Sequence, residues 1–397
     1  MTETDGREQA LWLLIPSGQQ ASGVWIDDTL RLRVAEKGLL DRTPLAGEFP
    51  RQRVEVVRAP DGFAAVQELY YRRGWTDGLP IVPPTLDRVA AMVTGSGRGA
   101  KEVIAAIDPL NGVATVEKVA ANAVMAGCTA DHFPVVLTAV AAIAERSFNL
   151  RGVQTTDENV APLLIVSGPK ARALDINAGF GALGPGWRGS AAIGRAVHLV
   201  MNNIGGGWPG AVSFAGLGQP GRYTLCLAED VGGSPWPSLG QEHGFGKEAT
   251  TLTVMRAETV INVTGGLDEL ASVMASAASN LTRSHSGKVA VAISPHTARV
   301  LAAQSVTKAD AKRYLWERSG MPAAEWQASW VAKTLKAHRW PDWVTAGLAK
   351  GAVPAVGSPD DITVVVTGGD VPITQQAYFP SWGFPPCCIT KEIVFHE

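Results

Sequence analysis

The sequence predicts an α/β fold: mostly parallel sheets with flanking helices, behind a small β-rich N-terminal segment. Three observations predict it. From about residue 61 onward, strand-like and helix-like runs alternate. The strand-like runs, such as APLLIVSGP (161–169) and KVAVAIS (288–294), are apolar without a break, as strands covered on both faces are. And 397 residues with 46% hydrophobic content can bury a large core, with two or three domains at roughly 150 residues each.

Taken in order, residues 1–60 hold short strand-like pieces (LWLLIP, GVWIDD, LRLRV, RVEVVR) broken by Gly, Pro and Asp. DGFAAVQELYYRRG has an Asp cap, apolar spacing near 3.6 and a Gly stop, which makes a helix. The prolines of WTDGLPIVPPT (Trp75–Thr85) forbid a helix or central strand and predict a rigid loop. Helices follow at LDRVAAMVTGSG, 115–127 and 130–145, where Pro134 falls in the first turn. After the strand 161–169 comes a Gly-rich stretch, 179–189, then a helix over 190–202 with Ser190 as N-cap. YTLCLA, TTLTVM and TVINVTG read as strands, and 268–280 as a helix. TKADAKRYLWERSG reads as a helix with a Thr307–Asp310 capping box. A Trp-bearing helix, the strand DITVVVTGGD and the tail PSWGFPPCCITKEIVFHE complete the chain. One echo runs inside it. LLIVSGPKARAL carries Ser167 and Arg172 where AVAISPHTARVL carries Ser294 and Arg299, which predicts two related lobes, 61–230 and 231–397. Their cleft is the expected site.

Charge narrows the function. The net charge of −2 excludes a strongly basic nucleic-acid binder. No apolar run reaches the ~18–20 residues that span a bilayer, and Met1–Gln9 lacks the order of a secretory signal. Four Cys make no disulfide framework. The expectation is a cytoplasmic protein with reduced thiols.

Five constellations carry candidate chemistry. Between Ile176 and Ala228 there is no Asp or Glu, while Arg188, Arg195, Arg222 and His198 are present. The Gly-rich run there, with Gly184, Gly186, Trp187, Arg188 and Ser190 before a helix, suits an anionic group. GFGALG fits G-x-G-x-x-G but follows no strand directly and lacks an acid about 20 residues on, so a dinucleotide site is disfavoured. Thr76 and Asp77 stand on the proline-stiffened loop, with Asp77 as a general base or an ordinary turn residue. Cys128, with Asp131 and His132, lies between two helices, where a thiol is either activated or simply a small core residue. Cys387 and Cys388 suit thiol chemistry or a soft metal ion. Asp370 ends a buried strand, where clefts place ligands. The seven His form no H-E-x-x-H pattern. Trp316, Trp326, Trp330, Trp340 and Trp343 read as helix packing or as the interface of a homo-oligomer.

WTDGLPIVPPT, then TVEKVAANAVMAGC with FPVVLTAV, then NLRGVQTT with APLLIVSGP and NAGFGALGPGWR, and finally TKADAKRYLWE resemble a bacterial family related to UGSC-like (seleno)proteins. The resemblance runs from about Trp75 to the C-terminus. It implies a thiol or selenol redox role. The chain departs from the group in having no Cys-Gly-Ser-Cys; its nearest counterpart is Cys387-Cys388.

Together these observations predict an enzyme acting on a small anionic organic molecule through a reactive thiol. Cys128 would be the reactive thiol or nucleophile and His132 its base or orienter, with Asp77 on the rigid loop, Arg188 and the Gly loop holding an anionic group, and Cys387 and Cys388 approaching from the tail. Redox, lyase and hydrolase chemistry stay open. Alternatives are a soft-metal protein using Cys387/Cys388, an acid–base enzyme using Asp77 and a His, and a non-catalytic subunit. The sequence leaves the cofactor unknown, and a metal ion is one the cysteines would hold.

Overall fold

Apolar residues fall on both faces of the longest strands because both faces are covered. The computed structural model describes residues 62–335, 340–373 and 375–396. The predicted module 1–60 lies outside the described residues. Helix α1 (Gly62–Arg72) leads into the proline loop, and α2 (Leu86–Gly95) follows it with Thr85 as its N-cap. A hairpin, β1 (Val103–Ile107) and β2 (Gly112–Thr115), precedes α3 (Val116–Ala126), α4 (Phe133–Ile143) and α5 (Leu150–Thr155). Then come β3 (Ala161–Ser167), α6 (Arg188–Asn203), β4 (Cys226–Ala228), α7 (Leu239–Glu242), β5 (Thr251–Ala257) and β6 (Ile261–Thr264). The second half holds α8 (Leu267–Ala275), α9 (Asn280–His285), β7 (Val289–Ile293), α10 (Pro295–Ala303) and α11 (Lys308–Arg318). The short strand β8 (Met321–Pro322) follows, then three short helices, α12 (Ala323–Ala328), α13 (Trp330–Thr334) and α14 (Asp342–Ala349). They lead to β9 (Ala352–Val353), β10 (Ile362–Val366), β11 (Gln375–Phe379) and β12 (Ile389–Glu392).

The α/β class holds, but the sheets are mixed, not mostly parallel. One sheet has the order β4-β3-β5-β12 and the other β10-β7-β11-β6. In each, one pair is parallel (β3 with β4, β7 with β10) and the remaining pairs are antiparallel. The reason lies in what covers the strands. Leu163, Ile165, Leu227 and Met255 of the first sheet pack directly on Ala290, Ala292, Val365 and Phe379 of the second. The opposite faces, with Leu164, Val166 and Val254 or Val291, Ile293 and Val364, pack on helices. The layers therefore run helix, sheet, sheet, helix. A strand inside such a stack is apolar on both faces whatever its direction, so continuous apolarity reports burial and not parallel pairing.

The two sheets share one pairing scheme: each takes three strands from one run of the chain (β3, β4, β5 or β7, β10, β11) and its edge strand from the end of the other run. Strands β5 and β12 both come from 231–397 but lie in the sheet around β3. The chain leaves β5, crosses in three residues and supplies β6 as the edge of the second sheet. It later leaves β11, crosses back and supplies β12 as the edge of the first. Registers match: Ile261 opposes Tyr378 as Ile389 opposes Val254. The residues just before them, Val260 and Cys388, both pack against the inter-sheet core. The crossings touch, with Glu258 N donating to the Pro380 carbonyl at 2.9 Å. Arg256, fully buried, donates to the carbonyls of Phe384 and Pro385 and so holds the second crossing down.

Glu258 gives this seam a pH signature. Its Oε1 is buried without a hydrogen-bond partner. Burial, with Glu158 adding, lifts its carboxyl to about 8, and Arg256 only partly opposes. An unfolded glutamate ionises near ~4.3. The folded chain therefore keeps a proton that the unfolded chain releases. The resulting stability is complete below about pH 4.3 and is lost as pH rises through about 8. Urea midpoints should fall more steeply between about pH 5 and 8 for the wild type than for Glu258→Gln. Equal slopes would contradict a buried neutral carboxyl.

Candidate functional site

The proline loop is fixed by one ion pair. Asp77 meets Arg195 of α6 in a two-point contact, Nε to Oδ2 and Nη2 to Oδ1, each 2.8 Å. Both side chains are nearly buried. Leu79 N donates to Asp77 Oδ1, and Thr76 Oγ1 donates to the Leu79 carbonyl at 2.7 Å, closing the Asp-Gly turn. Burial alone would raise the Asp77 carboxyl, but the hydrogen bonds and charge of Arg195 outweigh it and hold it below its ordinary value. Asp77 is an anchor with both oxygens engaged, so it is not free to act as the predicted base.

Cys128 and His132 do not form the predicted pair. The buried imidazole of His132 accepts from Thr129 N at Nδ1 (3.2 Å) and bonds the Leu174 carbonyl at Nε2 (3.0 Å). Both ring nitrogens are committed: Nδ1 holds a helix start, as a capping box does, and Nε2 ties it to the segment at Leu174. Burial pushes the Cys128 thiol well up, Cys226 adding and Arg195 partly opposing. A neutral thiol against the helical core is the small-residue packing described for buried cysteine.

The Gly-rich loop meets the chain's own acid. The helix starts at Arg188, not Ser190, with Trp187 at the cap position. Arg188 N donates to Asp175 Oδ2 (2.8 Å) and Gly189 N to the Asp175 carbonyl (3.0 Å). Asp175 stands one residue outside the acid-free stretch and takes the place expected for an external anion. Ser190 Oγ instead accepts from Asn177 N at 2.9 Å. Gly184 N closes a turn onto the Gly181 carbonyl, and Gly186 turns at φ +116°, which favours glycine. The Arg188 side chain is exposed. Asp370 pairs with Arg299 at the surface.

Of the tryptophans, Trp326 is fully buried with Trp340 edge-on to it. Trp316 and Trp343 donate their Nε1 to the Val356 carbonyl and Ser286 Oγ. Trp330 is exposed. These helices pack as a satellite cluster on β8 and β9.

The tail cysteines part company. Cys387 is buried towards the helical side of the first sheet, its thiol pushed up to about 11 by burial, with Arg256 partly opposing. Cys388 faces the seam and is partly exposed. Its Sγ lies 3.9 Å from His243 Nε2 and 3.8 Å from Thr363 Oγ1. Burial raises the Cys388 thiol, while Thr363, Lys288 and Lys312 pull it down. Burial also lowers His243, Glu242 partly opposing, which leaves a neutral imidazole at pH 7. A chain of charges runs inward from here. Lys312 and Lys308 meet Glu242 at 2.7 and 2.6 Å. Lys308 stands 3.6 Å from the wholly buried Glu229, whose Oε2 accepts from Leu239 N. Burial raises Glu229, with Lys308 and Ser167 opposing.

No family model, curated protein or solved structure matches this chain. Among the described residues, no group of three or more His, Cys, Asp or Glu could hold a metal ion, and no single helix is long and apolar enough to cross a membrane. Sequence reasoning missed His243, which sits in QEHGFG without any local pattern. Its meeting with Cys388 bridges 145 positions, and no spacing rule reaches that far.

The Asp77–Arg195 pair should be costly to break. Asp77→Asn leaves Arg195 nearly buried without its counter-charge, a loss of roughly 3 kcal/mol at neutral pH. Because Asp77 is held below its ordinary value, its contribution is present above about pH 4 and is lost as pH falls through the folded value. Urea unfolding of both proteins should differ near pH 7 and converge in acid. Coincident curves at pH 7 would contradict this anchor.

Proposed function

We propose that the chain is a thiol-dependent enzyme acting on a small anionic organic molecule. In this reading Cys388 is the nucleophile and His243 its base, at the seam between the sheets. The observation that carries the proposal is the 3.9 Å approach of Cys388 Sγ to His243 Nε2 on a partly open surface. Reactive thiols sit in electropositive, partly exposed surroundings with a base at hand. Lys288 and Lys312 supply the positive charge. Asp361, 3.8 Å from Lys288, and Glu242 only partly offset it.

At rest the pair is a neutral thiol and a neutral imidazole. His243 takes the Sγ proton as sulfur bonds to an electrophilic carbon of the substrate, and returns it to the departing group. The lysines hold the substrate's anionic group. Cys387 turns to the other side of the strand, so a dithiol redox cycle finds less support than nucleophilic hydrolase or lyase chemistry. The resemblance of residues 75–397 to the UGSC-like group supports the thiol class but not the choice between these reactions.

Alkylation followed by mass spectrometry tests the reading. In the native chain Cys388 should label faster than Cys128, Cys226 or Cys387. Its rate should climb with pH through a midpoint above the ~8.5 of a free thiol. Iodoacetate should gain on iodoacetamide relative to the ratio seen with glutathione, and His243→Ala should slow labelling at neutral pH several-fold. Preferential labelling of Cys128, or a rate indifferent to His243, would overturn the proposal.

A further inference from the structure

A second candidate site shares no residue with the Cys388 seam. It is a cleft of about 510 Å³ beside the proline loop, walled by α1, α2, α3 and α6. That is the size of a small-molecule site. Val66, Ile81, Val82, Met125 and Ala126 give it an apolar lining. Arg88 and Arg195 border it, and among the described residues no acid does.

The loop that forms one wall is fixed before any ligand arrives. Pro80, Pro83 and Pro84 stiffen it. Gln67 of α1 pairs with Ile81 as a neighbouring strand would: its Nε2 donates to the Ile81 carbonyl and its Oε1 accepts from Ile81 N, each at 2.9 Å. Val82 N donates to the Met125 carbonyl, at the end of α3, at 3.1 Å. The two guanidinium groups hold the same loop from its two ends. Arg195 Nη2 donates to the Leu79 carbonyl at 3.3 Å, and Arg88 Nη1 to the Pro83 carbonyl at 2.8 Å.

The charges of these two arginines are used differently. Arg195 places Nε and Nη2 on Asp77, which leaves Nη1 without a hydrogen bond among the described residues. Arg88 is exposed, and beyond its one bond to Pro83 the rest of its five-donor fork is uncommitted. No described carboxylate stands within ion-pair distance of it. Asp77 neutralises Arg195, so the cleft carries one net positive charge, that of Arg88.

We propose that this cleft binds an aliphatic monocarboxylate, its chain along the apolar wall and its carboxylate on Arg88 and the spare Nη1 of Arg195. A planar carboxylate matches a guanidinium fork, and a hydrocarbon chain gains by leaving water for the lining. A dianion would exceed the single net charge available.

The test is a titration of the full chain with sodium octanoate, followed by calorimetry and by the methyl signals of labelled methionine. The Met125 signal, assigned with Met125→Leu, should shift saturably, while that of Met255, in the core between the sheets, should not. Hexanoate should bind roughly tenfold more weakly, because two methylenes are lost. Octylammonium, the same chain with the opposite charge, should give no saturable shift. Arg88→Gln should weaken octanoate about fivefold, and Arg172→Gln, at an exposed arginine off the cleft, should leave it unchanged. The wild-type titrations decide without any variant but the assignment. A Met125 signal that octanoate leaves in place, or that octylammonium moves as far, would overturn the proposal, as would an affinity indifferent to chain length.

Discussion

Each sheet takes its edge strand, β12 or β6, from the end of the run of strands that builds the other sheet. This exchange is the constraint on which the rest depends. A crossing must pass between two stacked sheets, so its residues become part of the seam. The short crossing buries Glu258 and forces it to stay protonated. The long one carries two cysteines, and strand alternation sends Cys387 outward to the helices and Cys388 inward to the seam. Where the first crossing has Val260, the second has Cys388. A thiol at the rim of an apolar seam, reached by His243 from the end of α7, is a product of this topology.

Charge inside the molecule is spent in two ways. Arg283 is fully buried and donates to carbonyls at the end of α8 and in the segments at Ser319 and Val353. A cation at a helix C-terminus is favourable, and these bonds satisfy carbonyls that the helix leaves open. Arg256 does the same for the crossing loop. Such arginines need no acid, which suits a chain with only 18% charged residues. The ion pairs with buried members fix a loop, as at Asp77, or form a charge chain that reaches the surface, as from Glu229 to Lys312.

Much of the fold was legible because burial writes itself into composition. The strands 161–167, 289–293 and 362–366 were visible as apolar runs, and the Thr307–Asp310 capping box was visible as spacing. Strand direction was not, since a stack buries parallel and antiparallel strands alike. The echo of Ser167 and Ser294 marked the two central strands, while the exchange of β6 and β12 left no mark because edge strands carry no direction signal. At the site, residue types were readable and partners were not. Asp77, Cys388 and the acid-free stretch stood out. Arg195, His243 and the capping role of Asp175 depended on contacts between elements far apart in sequence.

Native-state hydrogen–deuterium exchange of the edge strands tests the exchanged topology most directly. If β6 and β12 lock the two sheets into one unit, their ladder amides should open together with those of β5 and β11, at the free energy of global unfolding. Exchange of the β12 amides through a separate, low-energy opening, with β11 still protected, would contradict the account.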